Sequence, residues 1–409
     1  MSKSYRRYRI LAWPAAVLAL AAVLPAWGGP PMTPAAQAQE KPEPLLTGAK
    51  VQLASKVLEE TREVWVVLPA GYEDGQDRYP VLIQLGDLAH VRYSAPIVDV
   101  LARNDHIPAM IVVACPEPTP RHHYRDSTPT AVDYLPGSGG ANKFLAFLRD
   151  ELIPYLEANF RTQPCRVLCG HGLSGLFAVH AVLESPGTFG GVIADGASLT
   201  YDGSAVLKTA EAKLADPRVR GSIYLGAGNE AETVPGLQAF VRLLERRVHP
   251  GLEWALEAER DEDQGTAAVP TFYKGLKWLF RAWRIPVEAA AKGIDAVRAY
   301  YAGLSEKFGY DIPVTERTLS GRGFQLIREQ RFAEAAALLE ANARAYPDSF
   351  RARQDLAVLY ERTRDWARAA ASYEAAAEKA GPAQPELAKF FRAQAERLKK
   401  RAPAAGLTS

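Results

Sequence analysis

Short β-branched runs alternate with longer amphipathic segments from about residue 51 to residue 286. The runs predict strands at 51–53, 63–68, 80–85, 109–115, 166–169, 191–194, 222–227 and 252–256. Between them, apolar positions three and four residues apart predict helices at 95–104, 142–159, 173–183, 235–247 and 269–281. Strands separated by helical patterns of ten or more residues pair in parallel through crossover helices, so this part of the chain reads as a three-layer α/β domain. The runs Met110-Ile111-Val112-Val113 and Gly191-Val192-Ile193-Ala194 are apolar without alternation, as expected of strands covered on both faces.

From about residue 287 the pattern becomes helical and the chain repeats itself at a spacing of 34. Gly323 pairs with Ala357, Leu326 with Tyr360, Phe332 with Trp366, Ala335 with Ala369, Leu339 with Tyr373, and Pro347 with Gly381 beside Pro382. Small residues where two helices touch, aromatics where they pack and a breaker after the second helix resemble the tetratricopeptide pattern. Two such repeats are expected, with 387–398 as a capping helix, and their concave face suits a protein or peptide partner.

The first residues are of another kind. Lys3, Arg6, Arg7 and Arg9 precede an apolar run over 10–27, and Ala36-Gln37-Ala38 supplies a small-x-small cleavage pattern. That is the layout of a secretory signal peptide, which predicts export to the periplasm or beyond the cell. The expected organisation is therefore a signal peptide over 1–38, a linker over 39–46, the α/β domain over 47–286, a helical connector over 287–318, the two repeats and cap over 319–402, and a disordered tail over 403–409.

The chain has 409 residues, 48% of them hydrophobic, with 49 lysines and arginines against 47 acids. Removing the four bases of the signal leaves 45 against the 47 acids, so no basic surface for nucleic acid is expected. Three cysteines cannot make a disulfide framework. Cys165 and Cys169, four apart on a predicted strand, stand about 13 Å from each other, beyond bridging distance. No cofactor and no metal site is expected, because no third ligand stands at a recognisable spacing from the pair His122-His123.

The densest chemistry lies in Arg166-Val-Leu-Cys-Gly170-His171-Gly172-Leu173-Ser174-Gly175, a strand, a glycine-rich turn and a helix start. Two readings fit. One is the nucleophile elbow, in which a sharp turn exposes a side chain above the sheet. The other is the dinucleotide fingerprint, with Gly170, Gly172 and Gly175 cradling pyrophosphate and Asp195, 20 residues after Gly175, on a ribose. Against the nucleotide-binding reading, the fingerprint normally opens its domain, whereas at least four strands precede it here.

Several separated segments agree on the first reading. Tyr79-Pro-Val-Leu-Ile83, Arg125-Asp126-Ser127-Thr128-Pro129-Thr130, Gly139-Gly140-Ala-Asn-Lys-Phe144 and Tyr224-Leu-Gly-Ala-Gly-Asn-Glu230 resemble, in order, the putative-esterase family of α/β-hydrolases, which includes enterochelin-type esterases. The helical tail resembles one exported branch of it. The resemblance implies the α/β-hydrolase fold and an ester-like small-molecule ligand.

It also exposes departures. The family's turn reads Gly-His-Ser-x-Gly-Gly, which puts its nucleophile on Gly172. Its base lies in Asp-x-x-His-Gly, and Asp261-Glu262-Asp263-Gln264-Gly265 puts Gln264 there. The family's acid falls on Glu230 or Glu232, and its Asp-Gly-Asp near the oxyanion loop becomes Gly86-Asp87-Leu88. Acyl transfer needs a nucleophile and a base to take its proton, and an amide takes up no proton near neutral pH. The expectation is a hydrolase fold without hydrolysis, against an alternative in which a displaced residue restores activity. Ser174 should sit in the first turn of the helix and point away from the tip. The pocket is expected to draw on Asp87, His122, His123, Arg125, Asp126, His171 and Leu173, with the histidine pair in a loop and His171 as a packing residue; of the other histidines, His90, His106, His180 and His249, none stands at the base position.

Overall fold

The computed structural model describes residues 47–401 apart from 87, 230 and 247–250. The stretches expected to be signal peptide, linker and terminal tail, together with Asp87, Glu230 and His249, lie outside the described residues.

Eight strands form one sheet: β1 (Gly48–Ser55), β2 (Glu60–Val67), β3 (Tyr79–Leu85), β4 (Ile111–Cys115), β5 (Thr162–His171), β6 (Gly191–Asp195), β7 (Gly221–Ala227) and β8 (Leu252–Ala258). Their order is β1-β2-β4-β3-β5-β6-β7-β8. The β1-β2 and β2-β4 pairs are antiparallel and all the others parallel. All eight predicted strands are present. The order reverses at β3 and β5, where one connection runs outward to β4 and the rest run the other way. In open α/β sheets ligands bind at such a reversal, beyond the carboxyl ends of the strands.

The helices of the sheet domain are α1 (Leu88–Arg103), α2 (Pro120–Ser127), α3 (Ala141–Phe147), α4 (Ile153–Asn159), α5 (Leu173–Glu184), α6 (Tyr201–Lys213), α7 (Val234–Arg246) and α8 (Gln264–Leu279). Side chains of α3 to α7 join one core against the sheet, where Phe144 and Phe177 approach to 5.1 Å between ring centroids. α1 and α8 cover the other face around Leu82, Val112, Ile193 and Tyr224. Burying such a side chain contributes about 1.5–3 kcal/mol each, which makes the sheet a rigid platform for its edge loops.

Three differences from the sequence reading have physical causes. The histidine pair lies on helix α2 rather than in a loop; that helix buries only Asp126 and Ser127, so it shows no apolar period, and Pro120 at its start was the visible sign. α6 was also missed, because Asp202, Gly203 and Ser204 at its beginning take left-handed φ values of 47°, 56° and 66° and read as a turn. The helix expected over 142–159 is present but widens to a π-turn over Leu148–Leu152, since Pro154 has no N–H for the carbonyl four residues back.

Beyond the sheet domain follow α9 (Val287–Ala290), α10 (Ile294–Phe308), α11 (Glu316–Arg328), α12 (Phe332–Ala345), α13 (Phe350–Arg362), α14 (Trp366–Ala380) and α15 (Pro385–Lys399). The starts of α11 and α13, and of α12 and α14, are 34 residues apart. A Cβ on Gly323 would stand 2.3 Å from Leu339 Cδ2, so α11 meets α12 only through glycine; the counterpart Ala357 is fully buried. The tail joins the sheet domain where Phe308 stacks on Phe280, 5.3 Å between centroids. Among the described residues, no helix is long and apolar enough to cross a membrane.

Candidate functional site

β5 ends at the middle of the sheet's carboxyl edge, and the chain turns through Gly172 into α5. Gly172 has φ 59° and ψ −118°, a conformation that a side chain adopts only under strain. Its N–H donates to Asp195 O at 2.9 Å, and its carbonyl accepts from Leu176 N at 3.0 Å and Ser198 N at 3.2 Å. The turn is thus fastened on both sides, as a nucleophile elbow is. Leu173, the first residue of α5, has one of the amides that a helix leaves without an internal partner, the type of donor an oxyanion uses.

The three glycines separate the two sequence readings. A Cβ on Gly170 would stand 2.1 Å from Ser174 O, and one on Gly175 would stand 2.9 Å from Asp195 O. Both positions are therefore glycine so that strand, turn and helix can close on one another. Asp195, the candidate ribose acid, is buried and its Oδ2 lies 2.7 Å from His171 Nδ1. The glycine spacing answers to an elbow, and the acid is engaged by the histidine. His171 is so held by a carboxylate rather than by packing alone, with the His90 ring 5.9 Å away.

A Cβ on Gly172 would be different. Among the described residues beyond its chain neighbours it would meet one atom within 4 Å, Gln264 Nε2 at 3.8 Å. Gln264 is the first residue of α8, whose start is fixed by a capping box: Thr266 N donates to Asp263 Oδ1 at 3.1 Å and Asp263 N to Thr266 Oγ1 at 3.2 Å. The two positions that the resemblance assigned to nucleophile and base do come together, with a hydrogen atom at one and a carboxamide at the other. Glu232 is exposed in the turn before α7.

Next to the elbow the structure assembles polar groups around α2. Ser174 is buried; its Oγ lies 3.2 Å from Ser127 Oγ and donates to Glu117 Oε1 at 3.4 Å. Glu117 Oε2 in turn lies 2.7 Å from His123 Nδ1. On the far side, Arg125 clasps Glu60 through Nη1 at 2.9 Å and Nη2 at 2.6 Å, and its Nε reaches Asp126 Oδ1 at 2.7 Å. His122 Nε2 stands 3.4 Å from Glu60 Oε2. The bonds from Arg125 hold the Glu60 carboxyl down at about 2.

Beneath them Arg62 is fully buried, pairs with the equally buried Asp126 at 2.5 Å and lies over the Phe144 ring at 5.3 Å. Burial pulls the guanidinium's pKa down, and the Asp126 charge and hydrogen bond more than restore it. Glu60, Arg62 and Glu117 were absent from the sequence reading. Arg62 had left a sign, since strand alternation puts it on the same face as the buried Val64 and Val66. Glu117 had left none.

Cys115, Cys165 and Cys169 are free and buried, and burial pushes the thiols of the first two up to about 12.

Residues 55–248 match the model of a family described as putative esterase. A ferri-bacillibactin esterase of Bacillus subtilis is 33% identical over 116 residues, which cover 25% of this chain and 40% of the relative. A siderophore enterobactin esterase of Emericella nidulans is 31% identical over 106 residues, 22% of this chain and 35% of the relative. The chain thus spans less than half the length of either. Among solved structures, an IroE-like serine hydrolase from Shewanella oneidensis superposes with a TM-score of 0.63 at 24% identity, covering 73% of this chain and 100% of the other. An uncharacterised protein from Capnocytophaga ochracea gives a TM-score of 0.57 at 14% identity, over 86% of this chain and 100% of the other. At those identities the superpositions speak for the fold. The strand order, the elbow and the family match agree that this chain has an esterase-like α/β fold whose residues 55–248 are similar to the putative esterase family.

Proposed function

We propose that this protein is an exported esterase-fold protein that has given up ester hydrolysis and keeps its site for binding. The observation that carries the reading is the facing pair at the elbow, Gly172 and Gln264. Attack on a carbonyl by this route needs a hydroxyl or thiol on the turn and a group that accepts its proton. Gly172 offers no nucleophile, and a carboxamide is not a base at neutral pH. Removing nucleophile or base from such a triad costs about 10⁶ in turnover in the best-studied protease, leaving a residue of rate from binding and oxyanion donors.

The amide of Leu173 and the carboxamide of Gln264 still present hydrogen-bond donors beside the elbow. An ester- or carboxylate-bearing small molecule of the siderophore-fragment type suits such a site, in keeping with the names of the curated relatives. The 34-residue spacing of the helix pairs supports tetratricopeptide-like repeats in the tail, and with them a peptide or protein partner. Export to the periplasm or beyond rests on the signal-like first 38 residues.

A displaced nucleophile would have to come from a neighbouring hydroxyl. Ser174 and Ser127 are both buried and bonded to each other, which argues against the catalytically active alternative. A fluorophosphonate probe that labels activated serines tests this. The proposal expects no adduct and no short-chain ester turnover above a Gln264→Ala control; labelling at Ser174 or Ser127 with turnover that disappears on Ser174→Ala would replace it with the active reading.

A further inference from the structure

Independently of the elbow, the junction between the tail and the sheet domain gathers arginines around one acid. Arg322, in α11, is only 6% exposed. Its side chain hydrogen-bonds the neutral carboxamide of Gln325, and among the described residues it makes no ion pair. Burial and the nearby Arg284 push its pKa down, the mark of a cation held without an adequate counter-charge.

The geometry that brings these groups together runs through Tyr301. Its hydroxyl donates to Trp283 O at 3.4 Å and lies 3.4 Å from Thr318 Oγ1. Arg284 follows Trp283 directly, and Arg322 lies one helical turn beyond Thr318, so the chain segments that carry the two arginines meet at the same phenol. Tyr300 fixes the same linker by donating to Ala282 O at 2.7 Å. The acid is Asp105, in the left-handed turn that closes α1 at φ 59°. Arg317, Arg284 and Arg322 all bear on it, yet burial still raises its carboxyl pKa. Even when ionised it offsets one of three guanidiniums. Arg284 and Arg317 are exposed, and Gly321, beside Arg322, leaves open space where a side chain would stand.

A buried guanidinium is stable when paired and costly when not, and its fork of donors matches oxyanions. We infer that this junction is a binding site for a doubly charged oxyanion of the phosphate class, with Arg322 as the buried anchor and Arg284 and Arg317 as the solvent-side arms. Two unmatched positive charges call for a dianion, and Arg recognises phosphate through two parallel N–H···O bonds. The occupied site would tie the tail to the loop after α1. A purely structural cluster, in which Asp105 alone docks the tail, makes a different prediction.

The test uses the full chain. Inorganic phosphate and glycerol 3-phosphate are titrated by calorimetry at constant ionic strength, with sodium chloride as the balance, and the thermal midpoint is followed in parallel. The unaltered protein should bind one equivalent of phosphate saturably and melt higher with it; tighter binding of glycerol 3-phosphate would mark the site as one for monoesters, and binding of phosphate alone would mark it as one for the free ion. Arg322→Met, which keeps the apolar stem, should weaken binding at least tenfold. Should that variant fold poorly, Arg284→Gln and Arg317→Gln change exposed side chains and should each weaken it severalfold. No saturable binding to the unaltered protein, or equal binding by these variants, overturns the inference.

Discussion

The tip of the elbow and the ion cluster beside it sit on the same edge of the sheet and have opposite characters. At the tip, Gly172 gives the turn an elbow's backbone with no side chain on it, and among the described residues beyond its chain neighbours a Cβ there would meet only Gln264 within 4 Å. A few residues away, Arg62 and Asp126 form a fully buried pair, with Glu60 and Arg125 bonded around it. The turn's backbone is held by packing: Gly170 and Gly175 leave no room for a Cβ, and the Gly172 N–H and C=O are both bonded. The side chain at its tip takes part in none of that packing. The shape of the turn is therefore fixed by its neighbours, and none of them depends on a side chain at position 172.

The comparison can be broken at several points. Arg62→Ala leaves the buried Asp126 carboxylate with Arg125 as its remaining cationic partner and should destabilise the protein by up to about 3–5 kcal/mol in urea unfolding, whereas the joint change Arg62→Met with Asp126→Leu should cost far less. Equal losses for both would mean that packing, not charge, holds the cluster. Next in size, Gly170→Ala drives a Cβ into backbone and Gly172→Ala adds only conformational strain of about 1–3 kcal/mol. Gly170→Ala should therefore be the worse by at least about 1 kcal/mol. If the two cost the same, packing does not explain the retained turn.

A smaller effect follows from Glu60, whose carboxyl falls from the ordinary 4.5 to about 2 through its bonds to Arg125. A carboxyl lowered in the fold stabilises above its unfolded pKa, and that contribution is lost as pH falls. Glu60→Gln should thus flatten the loss of stability between about pH 4.5 and pH 2, and an unchanged slope would remove Glu60 from the cluster's energetics. The least visible outcome concerns the thiols. With Cys115 and Cys165 buried and pushed up to about 12, the native protein should not react with a disulfide reagent at pH 8 on the timescale on which unfolded protein reacts fully.

Much of this architecture was legible in the sequence. Strand periodicity located all eight strands, because β-branched runs in a doubly covered sheet carry a strong signal. The approach of Gly172 and Gln264 was legible as well, since both stand in segments whose neighbours resemble the family's own. The polar surroundings were not. α2 has no apolar stripe, and its buried residues are Asp126 and Ser127, so hydropathy saw a loop. The pairing of His171 with Asp195 crosses from β5 to β6, and Glu117 meets Ser174 across 57 positions of chain. Contacts of that range depend on strand order, which periodicity does not encode. The 34-residue recurrence in the tail was readable because α11 meets α12 closely at Gly323, and its counterpart 34 positions on, Ala357, is a small residue that is fully buried.

The most direct measurement is ester turnover by the unaltered protein set beside Gly172→Ser, Gln264→His and the two combined. Loss of nucleophile and base on an intact scaffold predicts background rates for the unaltered chain and for each single change. The combined change should exceed Gly172→Ser by at least about 100-fold, the lower end of what a positioned general base contributes. Robust turnover by the unaltered, stringently purified protein would contradict the account, since it would require a nucleophile and a base other than the pair that faces Gly172.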